Sequence, residues 1–370
     1  MCVDGSFEQP RPVRSDDREA IARLAARAFP STQAPFVRAD GEGFVVEACE
    51  GLAAAVLLRV IVLPGGCRVG FVSWAMTNPE HRGSGYAGRL AALGIERLKA
   101  LGCTQIVTEI EGHNAASERV FEGLGFRRLS LHDQIAAFGG LGALWVRVRS
   151  GYVTDPGHFL WLHGAAPTSS VDWQERLLAV GLNGSFALVA LAVGGGLVLA
   201  GEPRLPGAAE IGLVLVAVAL LLGMREGAMR AAAGACGLRV VFRAWDSGLS
   251  ITTAIALLFG RLFPLPGSVY PCEGRGRQGT TQRALGIAAL AGAAMVAFVV
   301  AAAMWTRANF ADTLIDTLAA SLLFVGKPLL LFDTVMAFPP FQAFAARRIF
   351  ELHRGLWAAV ATLGLALFLL

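Results

Sequence analysis

Residues 69–90 read VGFVSWAMTNPEHRGSGYAGRL, and their organisation decides the fold. The run Val69–Thr77 is apolar and rich in β-branched and aromatic residues, the composition of a buried strand. Asn78-Pro79 ends it, and Gly83-Ser84-Gly85 makes a tight loop. From Tyr86 the pattern turns helical, with Leu90, Leu93, Ile95 and Leu98 as the apolar face. The first amides of a helix lack partners within it, and they favour an anion. Gly83, Ser84, Gly85, Tyr86 and Ala87 therefore form a candidate phosphate cradle, whose small residues let the backbone approach a ligand.

Around this stretch the chain is uneven. Of 370 residues 55% are hydrophobic and 16% charged, against roughly 25% charged in soluble domains. The first 150 residues carry ordinary charge, and the long apolar runs follow Leu177. A net charge of +4, dispersed and without a basic stripe, argues against a nucleic-acid partner. Cys2, Cys49, Cys67, Cys103, Cys236 and Cys272 form no C-x-x-C pair and read as separate thiols in a reducing compartment. The segment MCVDGSFEQP lacks the apolar core of a signal peptide.

Before the decisive stretch, Asp16 with Glu19 reads as a capping box, and Ile21, Leu24, Ala25 and Ala28 share one helical face. Phe44–Ala48 and Leu52–Leu63 read as strands. After it come a strand at Gln105–Ile110, a helix at Asn114–Leu124 stopped by Gly125, and expected strands at Phe126–Leu129 and Ala143–Val148. The expected class is α/β, a mixed central sheet with flanking helices.

The order Arg82-x-x-Gly85-x-Ala87, preceded by Pro79-Glu80, resembles the acetyl-CoA signature of the GNAT N-acetyltransferases. Asn114-Ala115-Ala116, then Phe121, then Gly125-Phe126, is similar to that family's second segment. The resemblance implies a GNAT fold and acetyl-CoA as donor to an amine acceptor. It places Arg82, Gly83, Ser84, Gly85, Tyr86 and Ala87 around the diphosphate, with Asn114 on the cofactor arm. Met76 and Thr77 would line a splayed strand where the pantetheine adds like an extra strand. Read from its position alone, Asn114 is also a helix N-cap.

Two departures from the family pattern bear on catalysis. The strand before the loop has no carboxylate, so Glu109, Glu111 and His113 at the end of the next strand are the substitutes for a general base. Phe121 stands where the family has a tyrosine acid. It cannot donate a proton, and packing against the cofactor arm is its remaining use.

Residues 151–173 are rich in Gly, Pro and Ser and read as a linker. Its pair His158 and His163, with no carboxylate cluster nearby, does not read as a metal site. Apolar stretches at Leu177–Ala200, Gly207–Gly223, Ala284–Met304, Thr313–Met336 and Leu356–Leu370 approach the about 20 residues needed to cross a bilayer, with Leu249–Pro264 as a possible re-entrant segment. Arg225, Arg230, Arg239 and Arg243, then Arg275, Arg277 and Arg283, then Arg347, Arg348 and Arg354, cluster in loops expected to be cytoplasmic. Lys327 lies inside an apolar run, where pairing with Asp316 or Asp333, or a ligand pocket, would compensate it.

Arg225-Glu226-Gly227-Ala228-Met229 resembles the H-E-x-x-H helix of site-2 proteases, and Asp333–Phe341 is similar to a later segment of that family. Arg225 and Met229 occupy both histidine positions and Phe341 the aspartate position, so the resemblance implies a pseudoprotease without metal. The expected organisation is a GNAT domain at 1–150, a linker at 151–173, and an all-α polytopic membrane domain at 174–370. The expected function is a membrane-anchored N-acetyltransferase in contact with the lipid bilayer. The alternative is a non-catalytic acyl-CoA-binding regulatory protein.

Overall fold

The computed structural model describes residues 9–31, 33–39, 41–48, 51–112, 114–165, 172–198, 202–272, 278–338 and 341–370. The chain divides into two compact units. One comprises Met1–Tyr152 with Phe159–Ser169, the other Val153–His158 with Ser170–Leu370.

The first unit is α/β. In chain order it contains β1 (Arg11–Pro12), α1 (Arg18–Ala28), β2 (Glu42–Ala48), β3 (Gly51–Val62), β4 (Arg68–Thr77), α2 (Tyr86–Ala100) and β5 (Gln105–Glu111). α3 (Ala115–Gly123), β6 (Phe126–Arg128), α4 (Leu131–Ser150) and β7 (His158–His163) follow. The strands form one seven-stranded sheet in the order β1-β2-β3-β4-β5-β7-β6. β1 to β4 are an antiparallel meander, and β4 pairs with β5 in parallel. β3 is almost continuously buried, which explains its unbroken apolar run. α2 packs closely on one face, where two glycines face leucine side chains. A Cβ at Gly70 would meet Leu98 at 2.9 Å, and one at Gly94 would meet Leu58 at 2.9 Å. α1 and α4 cover the other face, α1 through Ile21 and Leu24 against Leu57 and Met76, α4 through Phe138 and Val146 with Ile61 and Phe71.

Two expectations need correction. Ala143–Val148, expected as a strand, lies in α4. Ser130 and Asp133 cap its start reciprocally, the helix kinks at Gly139 (φ +69°), and Phe138 before the kink and Ala143 and Val146 after it all pack on the sheet. The missing strand comes instead from the segment expected as a linker, since β7 pairs antiparallel with β6 through Phe126↔His163 and Arg128↔Trp161. Phe159, Leu160 and Trp161 are all buried, so β7 shows no alternation that would mark it as a strand.

The start of α1 is fixed by charge. Arg11 donates from Nη1 and Nη2 to the two carboxylate oxygens of Asp17, each at 2.7 Å, and from Nε to Glu47 at 2.7 Å. Asp17 rather than Asp16 therefore holds the helix entrance, also accepting from the Arg14 amide at 2.7 Å.

The second unit is helical. It contains α5 (Asp172–Val193), α6 (Ala208–Ala235), β8 (Val240–Arg243), α7 (Leu249–Phe259), β9 (Ser268–Pro271), α8 (Gln278–Asn309), α9 (Leu314–Thr334), α10 (Ala345–Leu352) and α11 (Arg354–Leu369), with β8 and β9 paired antiparallel. α6, α8 and α9 share an apolar core that includes Val218, Leu221, Val296, Val300, Leu329 and Leu330. Among the described residues, Asp172–Val193, Ala208–Ala235, Thr280–Asn309 and Leu314–Thr334 are long and apolar enough to cross a membrane. α11 and α7 are shorter. The 16 residues of α11 rise about 24 Å, less than the roughly 30 Å of hydrocarbon. Four of the five expected stretches thus coincide with helices of sufficient length, and the last is the short one.

Inside this unit Arg225 and Asp333 are almost wholly buried and joined by two bonds, Nε–Oδ2 at 2.6 Å and Nη2–Oδ1 at 3.0 Å. Arg225 Nη1 also donates to Gly267 O at 3.1 Å, and the Ala345 amide donates to Asp333 Oδ1 at 3.2 Å. Glu226 turns away and takes Arg176 at 2.9 Å and Arg230 at 2.6 Å. Asp316 pairs with Arg307. The expected Lys327–aspartate pair is therefore not formed.

The Arg11 guanidinium, by its hydrogen bonds, holds the Asp17 carboxyl below its usual range against the opposing pull of burial. A depressed folded value contributes stability above the unfolded carboxylate range, and that stability is lost as pH falls through the folded value. Asp17→Asn should lower the unfolding free energy at neutral pH by about 1–3 kcal/mol and flatten the acid limb of a denaturation-versus-pH series. An unchanged acid limb contradicts this. In the helical unit, Arg225→Met should destabilise by about 3–5 kcal/mol by stranding Asp333, and Arg225→Met with Asp333→Leu should recover most of that loss. Thermal unfolding in detergent micelles measures both, and no recovery in the double variant refutes the pairing argument.

Candidate active site

β4 and β5 do not stay together. Their ladder covers Val69–Val72 against Gln105–Thr108, and the Thr108 hydroxyl donates to Val72 O at 3.0 Å at its last step. Beyond it Ser73–Thr77 continues to pair with β3. Among the described residues no strand pairs with Ser73–Thr77 on the β5 side. A wedge-shaped gap opens between two parallel strands at their C-terminal ends.

The glycine loop stands at the mouth of that gap. The Asn78 amide donates to Ala53 O at 2.8 Å, and Asn78 Oδ1 accepts from the Glu80 amide at 3.3 Å, which turns the chain through Pro79–His81. Gly83 has φ +88° and Gly85 φ +75°, a region where a Cβ is disfavoured. Nothing lies within 4 Å of where either Cβ would be, so backbone conformation rather than space demands these glycines. Gly85 caps α2 with no side-chain bond, and the first helical bond is Arg89 N to Gly85 O at 3.2 Å. Among the described residues, nothing accepts from the amides of Gly83, Gly85, Tyr86, Ala87 or Gly88. Ser84 is spent on His81 O at 3.4 Å. Five free donors at one helix start, with Arg82 exposed beside them, are an anion site by composition and geometry. Of these, Gly88 was not singled out in the sequence.

The other candidates divide. Met76 is buried against α1, its neighbours including Ile21 and Leu24, so only its backbone faces the gap, while Thr77 is half-buried. Glu109 and Glu111 follow Thr108 on the part of β5 beyond its ladder with β4 and, two residues apart, point to the same face. Burial pushes the Arg59 guanidinium down, and the Glu109 carboxylate pulls it back up; Glu109 thus lies within the field of a cation. Arg59 itself stacks over the Phe71 ring at 5.2 Å. His113 lies outside the described residues.

Asn114 caps α3, its Oδ1 accepting from the Ser117 amide at 3.0 Å. Phe121 is buried and packs edge-on to Phe126 at 5.2 Å, so its ring is a core element. Phe126 in turn meets His163 at 5.3 Å. Burial first, then Lys99, pushes the His163 imidazole below its usual range. The sequence offered no signal for this placement, because β7 was hidden in an apparent linker. Among the described residues no group of three His, Cys, Asp or Glu side chains could hold a metal.

A family model described as "Acetyltransferase (GNAT) family" matches residues 9–126. These residues resemble that family, and the mixed sheet they build is of the GNAT fold. Mycothiol acetyltransferase from Amycolatopsis mediterranei is 31% identical over 134 residues, covering 31% of this chain and 44% of the relative. The chain thus spans less than half the length of that relative. Among solved structures, a GNAT family N-acetyltransferase from Escherichia coli in complex with CoA aligns at 25% identity and TM-score 0.28, over 32% of this chain and 71% of that one. N-acetylglutamate synthase from Neisseria gonorrhoeae, complexed with coenzyme A and N-acetyl-glutamate, aligns at 16% identity and TM-score 0.32, over 43% and 35%.

The conformational argument at the loop has a direct check. Gly85→Ala in the GNAT domain should cost about 1–2 kcal/mol of stability, the penalty for a Cβ in the left-handed region. Gly123→Ala, near the end of α3 with open space around it, should be neutral or stabilising. Chemical denaturation of the two variants compares them, and equal costs would remove the reason for glycine at 85.

Proposed function

We propose that this protein is a membrane-anchored N-acetyltransferase that moves an acetyl group from acetyl-CoA to an amine. The five free amides at Gly83, Gly85, Tyr86, Ala87 and Gly88, beside a gap between β4 and β5, carry the reading. In it those amides and Arg82 hold the diphosphate, Ser84 closes the loop, and the free edge of Ser73–Thr77 takes the pantetheine amides as a neighbouring strand would. Asn114 keeps its capping bond and offers its amide nitrogen to the cofactor arm.

Acetyl-CoA supplies an activated thioester. The chain's part is to hold it, to take a proton from the incoming amine, and to shield the reacting atoms from water. Glu109 and Glu111 stand on the gap-lining part of β5 and are the groups able to accept the amine proton, directly or through water. Phe121, buried in the core, takes no part in proton transfer. The departing thiolate, a tolerable leaving group, then draws its proton from solvent.

α5, α6, α8 and α9 are read as crossing the bilayer, with the arginine clusters and the GNAT domain on the cytoplasmic side. The second reading is a regulatory acyl-CoA-binding protein on a pseudoprotease scaffold. The observation favouring it is the Arg225–Asp333 pair, which fills the position where the protease resemblance would put the first metal ligand.

Purified protein assayed for thiol release from acetyl-CoA across a panel of amines decides between the two. The first reading expects turnover with at least one amine, and expects Glu109→Gln or Glu111→Gln to lower kcat about 10²–10⁴-fold with KM for acetyl-CoA little changed. Tight calorimetric binding of acetyl-CoA without turnover for any amine defeats it in favour of the second.

A further inference from the structure

Three neighbouring strands bring a cation and two carboxylates onto the α4 side of the sheet. Arg59 on β3 stands opposite Phe71 on β4, and Phe71 opposite Val107 on β5. Ile61, Phe71 and Val107 pack with Phe138 and Val146 of α4, so Arg59, two residues before Ile61, points to that side by strand alternation. Gln105, which donates to Ala137 O of α4 at 3.0 Å, puts Glu109 and Glu111 on the same side by the same alternation. Both carboxylates lie beyond the last rung of the β4–β5 ladder. Proton transfer from the amine uses them and has no use for Arg59.

Arg59 is nevertheless held in place. Its guanidinium lies over the Phe71 ring at 5.2 Å. Nη2 donates to Arg149 O at 3.2 Å and to Ser150 O at 3.4 Å, the last carbonyls of α4, where a helix end favours a cation. Among the described residues, Nε and Nη1 find no acceptor. Glu109 acts on Arg59 through its charge without a hydrogen bond, and the Arg149 cation opposes it. The result is a fixed cation, open to solvent, with donors to spare and a carboxylate within its field.

We infer that Arg59 receives a carboxylate of the acceptor, so that the amine to be acetylated is an amino acid or another amine bearing an acidic group. The inference rests on the proposed acetyltransferase reading, in which Glu109 or Glu111 meets the amine. Charge complementarity selects the class. A neutral monoamine would leave the spare donors of Arg59 unused. A polycation would meet the like charges of Arg59 and Arg149, which disfavours it. A zwitterion answers both signs at once, its ammonium toward the carboxylates of β5 and its carboxylate toward the guanidinium of β3. Hydrogen bonds between such ionised groups are stronger than neutral ones, and Arg59, already held by its ring and carbonyl contacts, loses little freedom in making one.

Thiol release from acetyl-CoA by the full chain, measured with matched amines, tests this. The pairs are γ-aminobutyrate against n-butylamine and L-alanine against L-alaninamide, each differing in the carboxylate. The expected result is a kcat/KM about 10–100-fold higher for the acidic member of at least one pair, the worth of a charge-assisted hydrogen bond. Arg59→Gln should bring that acidic amine down to the level of its neutral partner, mainly through KM for the amine, while Arg59→Lys should keep part of the preference. Thermal unfolding of both variants shows whether the anchoring of α4 has been lost instead. Equal kcat/KM within both pairs, or a preference that survives in folded Arg59→Gln, overturns the inference and leaves acetyl transfer standing. No thiol release with any amine, acidic or neutral, overturns both.

Discussion

The GNAT domain depends on a single failure of pairing. β4 and β5 run parallel for four residues and then part, although both continue. Unpaired backbone inside a sheet costs free energy unless something else takes the hydrogen bonds. The gap therefore requires an occupant with strand-like donors and acceptors, or water. The α2 amides lie at the end of the same strand, so one extended molecule with an anionic end meets both needs. The register shift between Leu57 and Leu58 in the β3–β4 ladder lies beside the point of separation. A bulge increases local twist, which helps turn the end of β4 away from β5.

Much of this was legible in the sequence because it rests on local chemistry. Gly83 and Gly85 advertise positive φ, Asn114 advertises a cap, and the change from strand to helical period at Tyr86 fixes where the free amides fall. What escaped was set by tertiary context. β7 is buried on both faces and so lacks the alternation of a half-exposed strand, while the Pro and Gly around it imitate a linker. Ala143–Val148 carries β-branched and aromatic residues that argue for a strand taken alone. The packing of Ala143 and Val146 against the sheet core, in the helical segment after a kink at Gly139, overrides that local preference. The sequence also did not show that the side chains of Met76 and Phe121 turn into the core.

In the helical unit the same logic applies to charge. Glu226 takes Arg230, the partner four residues on that spacing favours, but it also takes Arg176, and Arg225 meets Asp333 across 108 positions of sequence. These last two pairings were not visible in the sequence. Desolvation makes an unpaired buried charge costly, so burial selects the partners that the packing of α6 against α9 brings into reach.

Backbone amide hydrogen exchange of the full protein, with and without coenzyme A, bears most directly on the account. The peptide spanning Arg82–Leu90 should exchange more slowly once the ligand is bound, together with the unpaired edge of Ser73–Thr77, while Gly51–Val62 stays unchanged. Demonstrable binding of coenzyme A that leaves exchange at Arg82–Leu90 unaltered would mean that the free amides of α2 are not what holds it.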